Sequence, residues 1–310
     1  MQRYTAPAST GNFTVGFDLL GLALQPVDGS LLGDVLEIES EAASPSLRLS
    51  GRYAHQLPAD GRDNLVLTCL QAFADRIGRT LPGLALHLQK NLPVGSGLGS
   101  SACSIVTALY AFNEHFGHPL SQTALLQLMA ACEGGVSGSV HFDNVAPSLL
   151  GGLQLMLPGS ARVCRALPWF GHWRVVVCYP GTVISTQAAR GLLPAQVPRA
   201  EAIEYAGLLA RFISALYAGD EAEALDSLKD VMAEPRRLAL MPELPELRTV
   251  FSDAGIPHLG ISGSGPTLFA VCTSESQSET AAGLFRRHYE KNPDAMTHVC
   301  RMAERGAHSL

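Results

Sequence analysis

The sequence predicts an α+β fold in two domains, and three observations carry that expectation. Leu84, Leu86 and Leu88 alternate with Ala85, His87 and Gln89, the period of a half-buried strand, while Ile105, Leu109 and Phe112 recur at helical spacing one loop later. Gly151-Gly152, then Leu153, Leu155 and Leu157, then Pro158-Gly159 read as the last strand before a break near residue 160, which divides the chain into 1–160 and 161–310. Beyond the break, a strand-like run, helical stretches and a late glycine turn entering another strand give the mixed order of an α+β unit. At 310 residues the chain is long enough for two ordinary domains.

Taken in order, Gly11 to Leu24 is an apolar, glycine-punctuated segment holding Asn12 and Asp18. A carboxylate in such a setting needs a partner, so Asp18 either caps a turn or awaits a cationic ligand group. Val35 to Ile38 and Leu47 to Leu49 read as strands, and Asn64 to Ile77 as a helix with Leu65, Cys69, Ala72 and Ile77 on one face. After the helix at 105–112, Ser121 is an N-cap, Leu125, Leu128, Met129 and Cys132 form a stripe, and Gly134-Gly135 ends the helix. Glu133 then falls in the last turn, where the helix dipole disfavours an acid and a divalent cation would compensate. Ser137 to Pro147 packs His141, Asp143 and Asn144 into a turn bounded by glycine and proline. Arg174 to Tyr179 is a strand; Thr186 and Arg190 lie one helical turn apart. Glu201 to Tyr217, carrying Ile203, Leu208, Phe212 and Leu216, and Glu221 to Met232 read as helices. Arg236 and Arg237 are expected on a solvated face, and Gly260 to Thr267 forms a second glycine cluster leading into the strand Leu268 to Cys272.

Composition narrows the function. With 47% apolar and 16% charged residues the chain can bury a large core. Its net charge of −6 and lack of a Lys/Arg-rich run argue against a nucleic-acid or anionic-membrane partner. The opening residues carry no apolar leader and the densest apolar run, Val175 to Tyr179, is too short to span a bilayer, so a cytoplasmic protein acting on small molecules is expected. Seven cysteines, at 69, 103, 132, 164, 178, 272 and 300, form no C-x-x-C pair and read as reduced core residues.

The most informative stretch is Asn91 to Ser104, Asn-Leu-Pro-Val-Gly-Ser-Gly-Leu-Gly-Ser-Ser-Ala-Cys-Ser. Gly95, Gly97 and Gly99 sit between strand and helix, where the backbone can approach a ligand and the helix start offers free N–H groups to an anion. A Walker loop requires Lys after the last glycine, and Ser100 follows Gly99. A dinucleotide fingerprint requires glycine at 100 and an acid about twenty residues on, where Leu120 and Ser121 stand. Both readings fail, leaving a different phosphate cradle or a tight packing turn.

Three stretches together, Ala6 to Leu24, Pro93 to Ser104 and Gly260 to Ala270, resemble the GHMP small-molecule kinases. Glu133, His141, Asp143, Asn144, the Thr186/Arg190 pair and Glu234-Pro235-Arg236-Arg237 extend the likeness over essentially the whole chain, toward the members that act on homoserine. The resemblance implies a first domain with a left-handed βαβ crossover, a second resembling a ferredoxin-like sandwich, an active site between them, and a homodimer. It implies L-homoserine and MgATP as ligands. Carried over by position, Asn91, Pro93, Gly95, Ser96, Gly97, Leu98, Gly99, Ser100 and Ser101 would wrap the ATP phosphates, and Ser101 and Glu133 would hold Mg²⁺. Asn12, Asp18, His141, Asn144, Thr186, Arg190 and Arg237 would line the acceptor pocket, with Asp18 for an ammonium and Arg190 or Arg237 for a carboxylate. Asn144 would orient the reacting hydroxyl; Asp143 is the candidate base if one is used. The chain departs from the family pattern at Phe13-Thr14-Val15 and at Phe142.

Overall fold

The computed structural model describes residues 2–58, 64–138 and 140–310; Ser139, in the expected polar turn, lies outside them. The first part of the chain runs β1 (Gln2–Pro7), β2 (Ser9–Gly11), β3 (Leu20–Pro26), β4 (Gly33–Ala42), β5 (Ser46–Ser50), α1 (Leu65–Ile77), β6 (Gly83–Gln89), α2 (Ser100–His115), α3 (Gln122–Ser137), α4 (Val145–Leu150) and β7 (Leu153–Met156). It continues through β8 (Cys164–Leu167), β9 (Arg174–Tyr179), α5 (Thr186–Gly191), α6 (Arg199–Ala218), α7 (Glu221–Asp226), α8 (Glu234–Arg237) and α9 (Leu244–Asp253). It closes with β10 (Leu259–Ile261), β11 (Leu268–Cys272), α10 (Glu275–His288), β12 (Met296–Met302) and β13 (His308–Ser309).

Two sheets organise these elements. One has the order β13-β1-β4-β6-β5, with β5 and β6 parallel across a connection that contains α1 and the other pairs antiparallel. Helix α2 packs on β1 and β4; its Ala102, Ile105, Val106, Leu109 and Phe112 are all buried, as befits a helix enclosed on most sides. The second sheet has the order β10-β11-β9-β12-β3-β7-β8, with β2 added to β3. Within it β9, β10, β11 and β12, joined through helices and one hairpin, reproduce the βαββαβ order of a ferredoxin-like unit. That sheet continues into β3 and β7, so strands from before residue 160 are hydrogen bonded to strands from after it. No described helix is long and apolar enough to cross a membrane.

Several elements differ from their sequence expectation. Helix α3 does not stop at Gly134-Gly135 but runs to Ser137, with Gly138 at φ 85° as its left-handed cap. Gly134 instead permits a close approach, since a Cβ there would lie 2.9 Å from Val140. Glu133 therefore sits one turn inside the helix. The helix expected over Glu221–Met232 ends at Asp226, because the Asp230 carboxylate captures the amides of Met232, Ala233 and Glu234 and starts α8 instead. Ile203 is 65% exposed, and the buried face of α6 is Leu208, Phe212, Ala215 and Leu216. The arginine pair is not solvated: Arg236 is tied to Glu201 at 2.7 Å and Arg237 is 2% exposed.

Candidate active site

The phosphate loop is built from beneath. Lys90, the residue after β6, is one of three lysines in the chain and lies with its side chain 2% exposed. Its Nζ donates to Asp34 Oδ2 at 2.6 Å, to Ser104 Oγ at 2.9 Å and to the Ser100 carbonyl at 3.1 Å. Asp34 in turn accepts the amides of Asn91 and Leu92, at 2.9 and 3.1 Å, and the Ser104 hydroxyl. A buried ion pair of this kind is tolerable because every charged atom is hydrogen bonded. It clamps the loop entry on β4 to the first turn of α2.

From the other side, the second half of the chain takes the loop's carbonyls. Ile184 N donates to Gly95 O, Thr267 N to Ser96 O and Ser262 Oγ to Gly97 O. With three consecutive carbonyls engaged, the amide groups at the start of α2 remain to meet an anion. The approach is close: a Cβ on Gly97 (φ 84°) would lie 2.4 Å from Ser262 O, and one on Gly99 (φ 62°) 2.4 Å from Ser9 Oγ. At Gly97 the obstacle is backbone and leaves no room for a side chain; at Gly99 it is the side chains of Ser9 and Asn144, and the left-handed backbone adds strain for any other residue.

Beside the loop lies a cavity of about 510 Å³. Gly95, Ser96, Gly97, Gly99, Ser100 and Ser101 line it, together with Asn12, Glu133, His141, Asp143, Asn144, Thr186, Arg190 and Arg237. Asn91, Pro93, Leu98 and Asp18 are not on its wall; Asn91 braces the loop through Gly33 O, Leu98 is fully buried, and Asp18 stands behind the wall residue Arg190. The sequence reading missed Lys90, Asn64, Thr68 and Ser264, all of which line the cavity. A lysine directly following the alternating strand was the available signal for the first of them.

At one end, Ser101 Oγ donates to Glu133 Oε1 at 2.8 Å. Burial pushes the Glu133 carboxyl up to about 7, and the Ser101 hydrogen bond opposes this. At the other end, Asp18 accepts two hydrogen bonds from Arg190, at 2.8 and 3.3 Å, and its Oδ1 lies 3.5 Å from His141 Nδ1. The turn-cap reading of Asp18 is thus replaced by a long-range ion pair. Asp143, 4% exposed, is pushed up to about 7 by burial first and by the nearby Asp18 charge second. Burial also lowers His141. Ser9 Oγ donates to Asn144 Oδ1 at 3.1 Å and lies 3.2 Å from the Asn144 carbonyl, which ties this residue to β2.

The loop carrying Asp18 is held under strain. Asn12, Phe13, Thr14 and Asp18 all have positive φ, at 70°, 38°, 56° and 57°. Phe13 offsets this by burying its ring completely, stacked on Phe269 at 5.1 Å and edge-on to Trp169. The departure Phe13-Thr14-Val15 is therefore an anchor. Both ends of the Asn12 side chain are engaged: Oδ1 accepts from Asp18 N and Nδ2 donates to Gly263 O. The same Gly263 carbonyl accepts from Arg237 Nη1 at 2.6 Å, which turns Arg237 into the cavity, while Arg236 bonds to Val231 O, Met232 O and Glu201.

Known structures share this fold. The crystal structure of homoserine kinase from Cytophaga hutchinsonii superposes with a TM-score of 0.86 at 28% identity, covering 100% of this chain and 97% of that one. A D-glycero-D-manno-heptose 1-phosphate kinase from Bacteroides thetaiotaomicron matches at TM-score 0.66 and 17% identity, covering 100% and 99%. L. major mevalonate kinase in complex with R-mevalonate matches at 0.68 and 16%, covering 97% and 96%. At the last two identities the likeness shows the fold. In sequence, the GHMP kinases N terminal domain matches residues 64–152 and the GHMP kinases C terminal domain residues 212–291. The two matches together take in more than half of the chain, on both sides of the cavity, and the chain belongs to the GHMP kinases, phosphotransferases that use ATP.

Proposed function

We propose that this chain transfers the γ-phosphoryl group of ATP to the side-chain hydroxyl of L-homoserine, giving O-phospho-L-homoserine and ADP. The observation that carries the reading is the composition of the acceptor end of the cavity. Arg190 and Arg237 line the wall, and a carboxylate, Asp18, is bonded to Arg190 from behind it. That set complements an ammonium and a carboxylate on one small molecule. A neutral sugar uses neither, and mevalonate has no ammonium for Asp18. The 28% identity to the Cytophaga hutchinsonii homoserine kinase supports the same choice.

The amides at the start of α2 would take the nucleotide phosphates, and Asn144 Nδ2 would donate to the attacking hydroxyl oxygen and hold it in line. Ser101 and Glu133 suit a hard cation: both offer oxygen, they are adjacent at 2.8 Å, and Glu133 is a half-buried carboxylate on the cavity wall. They would hold Mg²⁺, which supplies charge neutralisation on the phosphates when bound. Transfer through a loose transition state asks little of a base, so positioning and charge neutralisation carry most of the rate. Asp143 favours a second reading, since it lines the cavity with a proton affinity suited to a base near neutral pH. Asp143→Asn decides between them: a loss in kcat beyond about 10²-fold with intact ATP binding assigns the base, and a smaller loss assigns direct transfer.

The function itself is tested by ADP release with MgATP and a panel of L-homoserine, mevalonate, galactose and shikimate against a blank without acceptor. Acceptor-dependent release with homoserine alone supports the proposal; release with another member of the panel, or with none, overturns it.

A further inference from the structure

The two pocket arginines share one aromatic ring. The Arg190 guanidinium carbon lies 5.9 Å from the centroid of the Phe17 ring, and that of Arg237 lies 5.7 Å away. Among the described residues neither guanidinium is fully held by hydrogen bonds: Nε of Arg190 and Nε of Arg237 are buried and have no hydrogen-bond partner there. Arg190 is fixed through its Nη atoms to Asp18, and Arg237 through Nη1 to the Gly263 carbonyl. Phe17 is itself anchored, because its carbonyl accepts from Tyr205 Oη on α6 at 2.9 Å and its C-terminal neighbour is Asp18. Two cations converging on one pocket repel each other, and the negative face of an aromatic ring attracts both.

We propose that Phe17 is a positioning residue, which orients Arg190 and Arg237 toward the carboxylate of the acceptor and so sets specificity for an amino acid over the corresponding amino alcohol. The identity of the acceptor rests on the homoserine reading; the part played by the ring in holding the arginines does not. An aliphatic residue of similar size would fill the same space without a π face, whereas Tyr would keep it.

The experiment has two arms, run on wild type, Phe17→Leu and Phe17→Tyr. In the first, ligand-free protein is treated with phenylglyoxal and each arginine's modification is followed by peptide mapping, with Arg248, held by Glu234, as internal reference. In the second, equilibrium binding of L-homoserine is compared with that of 3-amino-1-propanol, which lacks the carboxylate. Phe17→Leu is expected to raise the reactivity of Arg190 and Arg237 several-fold relative to Arg248. It is expected to weaken homoserine binding about tenfold while leaving 3-amino-1-propanol and MgATP within about twofold. Phe17→Tyr is expected to match wild type in both arms. Unchanged arginine reactivity in Phe17→Leu, equal weakening of both acceptors, or failure of Phe17→Tyr to restore wild-type behaviour overturns the proposal. Wild-type protein that binds neither acceptor removes the homoserine reading, and the reactivity arm then decides the role of Phe17 alone.

Discussion

Arg190 and Asp18 neutralise each other across 172 residues of chain, through a two-pronged contact at 2.8 and 3.3 Å. Their side chains are 26% and 27% exposed and Arg190 lines the cavity, so the pair is open to exchange with a ligand. A zwitterionic amino acid offers each of them a new partner of the same sign as the one it gives up. Asp18→Asn and Arg190→Met should therefore each raise KM for homoserine by about 10- to 100-fold, the worth of a charged hydrogen bond, with KM for ATP unchanged. Steady-state kinetics check this; values of KM for homoserine within twofold of wild type in both variants would take the pair out of the acceptor pocket.

The buried Lys90 and Asp34 pair should matter most to stability. Lys90→Met leaves the Asp34 carboxylate uncompensated in the core and should cost about 3–5 kcal/mol in urea unfolding. Asp34→Asn added to Lys90→Met removes both charges while keeping an acceptor for the Asn91 and Leu92 amides, and should recover part of that loss. A double variant less stable than the single one contradicts the charge argument.

How much of this was legible in the sequence depended on distance along the chain. The phosphate loop, the strand before it and the helix after it are local, and glycine spacing with apolar periodicity located them. The Arg190 to Asp18 pair and the junction of β3 with β12 are not local, and no periodicity reports them. Gly134-Gly135 read as a helix end because glycine disfavours helix interiors, yet the helix continues through both to the left-handed cap at Gly138. Lys90 was passed over because charge alone suggests exposure, and its partner Asp34 lies 56 residues earlier. Arg237 read as solvated for the same reason; its acceptor, the Gly263 carbonyl, belongs to the second glycine cluster.

Asp143 should set a pH dependence of stability in the ligand-free protein. Its folded-state pKa is raised from 3.8 to about 7, so the folded protein holds this proton more tightly than the unfolded chain. That contribution is fully present below pH 4, is lost as pH rises, and is gone above about 7. Asp143→Asn has no such loss. The variant should gain on wild type by on the order of 3 kcal/mol between pH 5 and pH 8, read from urea midpoints. Parallel stability curves for the two proteins would show that the carboxyl is not desolvated in solution.

Glu133→Gln tests the cation site. It keeps the shape of the side chain and removes the charge, so the Mg²⁺ concentration for half-maximal activity should rise at least tenfold while unfolding stability is retained. An unchanged Mg²⁺ titration removes Glu133 from the site.

Which oxygen receives the phosphoryl group is read directly by ³¹P NMR of a turnover mixture with MgATP and L-homoserine. Transfer to the side-chain hydroxyl gives ADP together with one new phosphate monoester resonance, split into a triplet by the two protons of the side-chain methylene. A new resonance without that splitting, as an acyl phosphate on the carboxylate would give, or ADP accompanied only by inorganic phosphate, would contradict it.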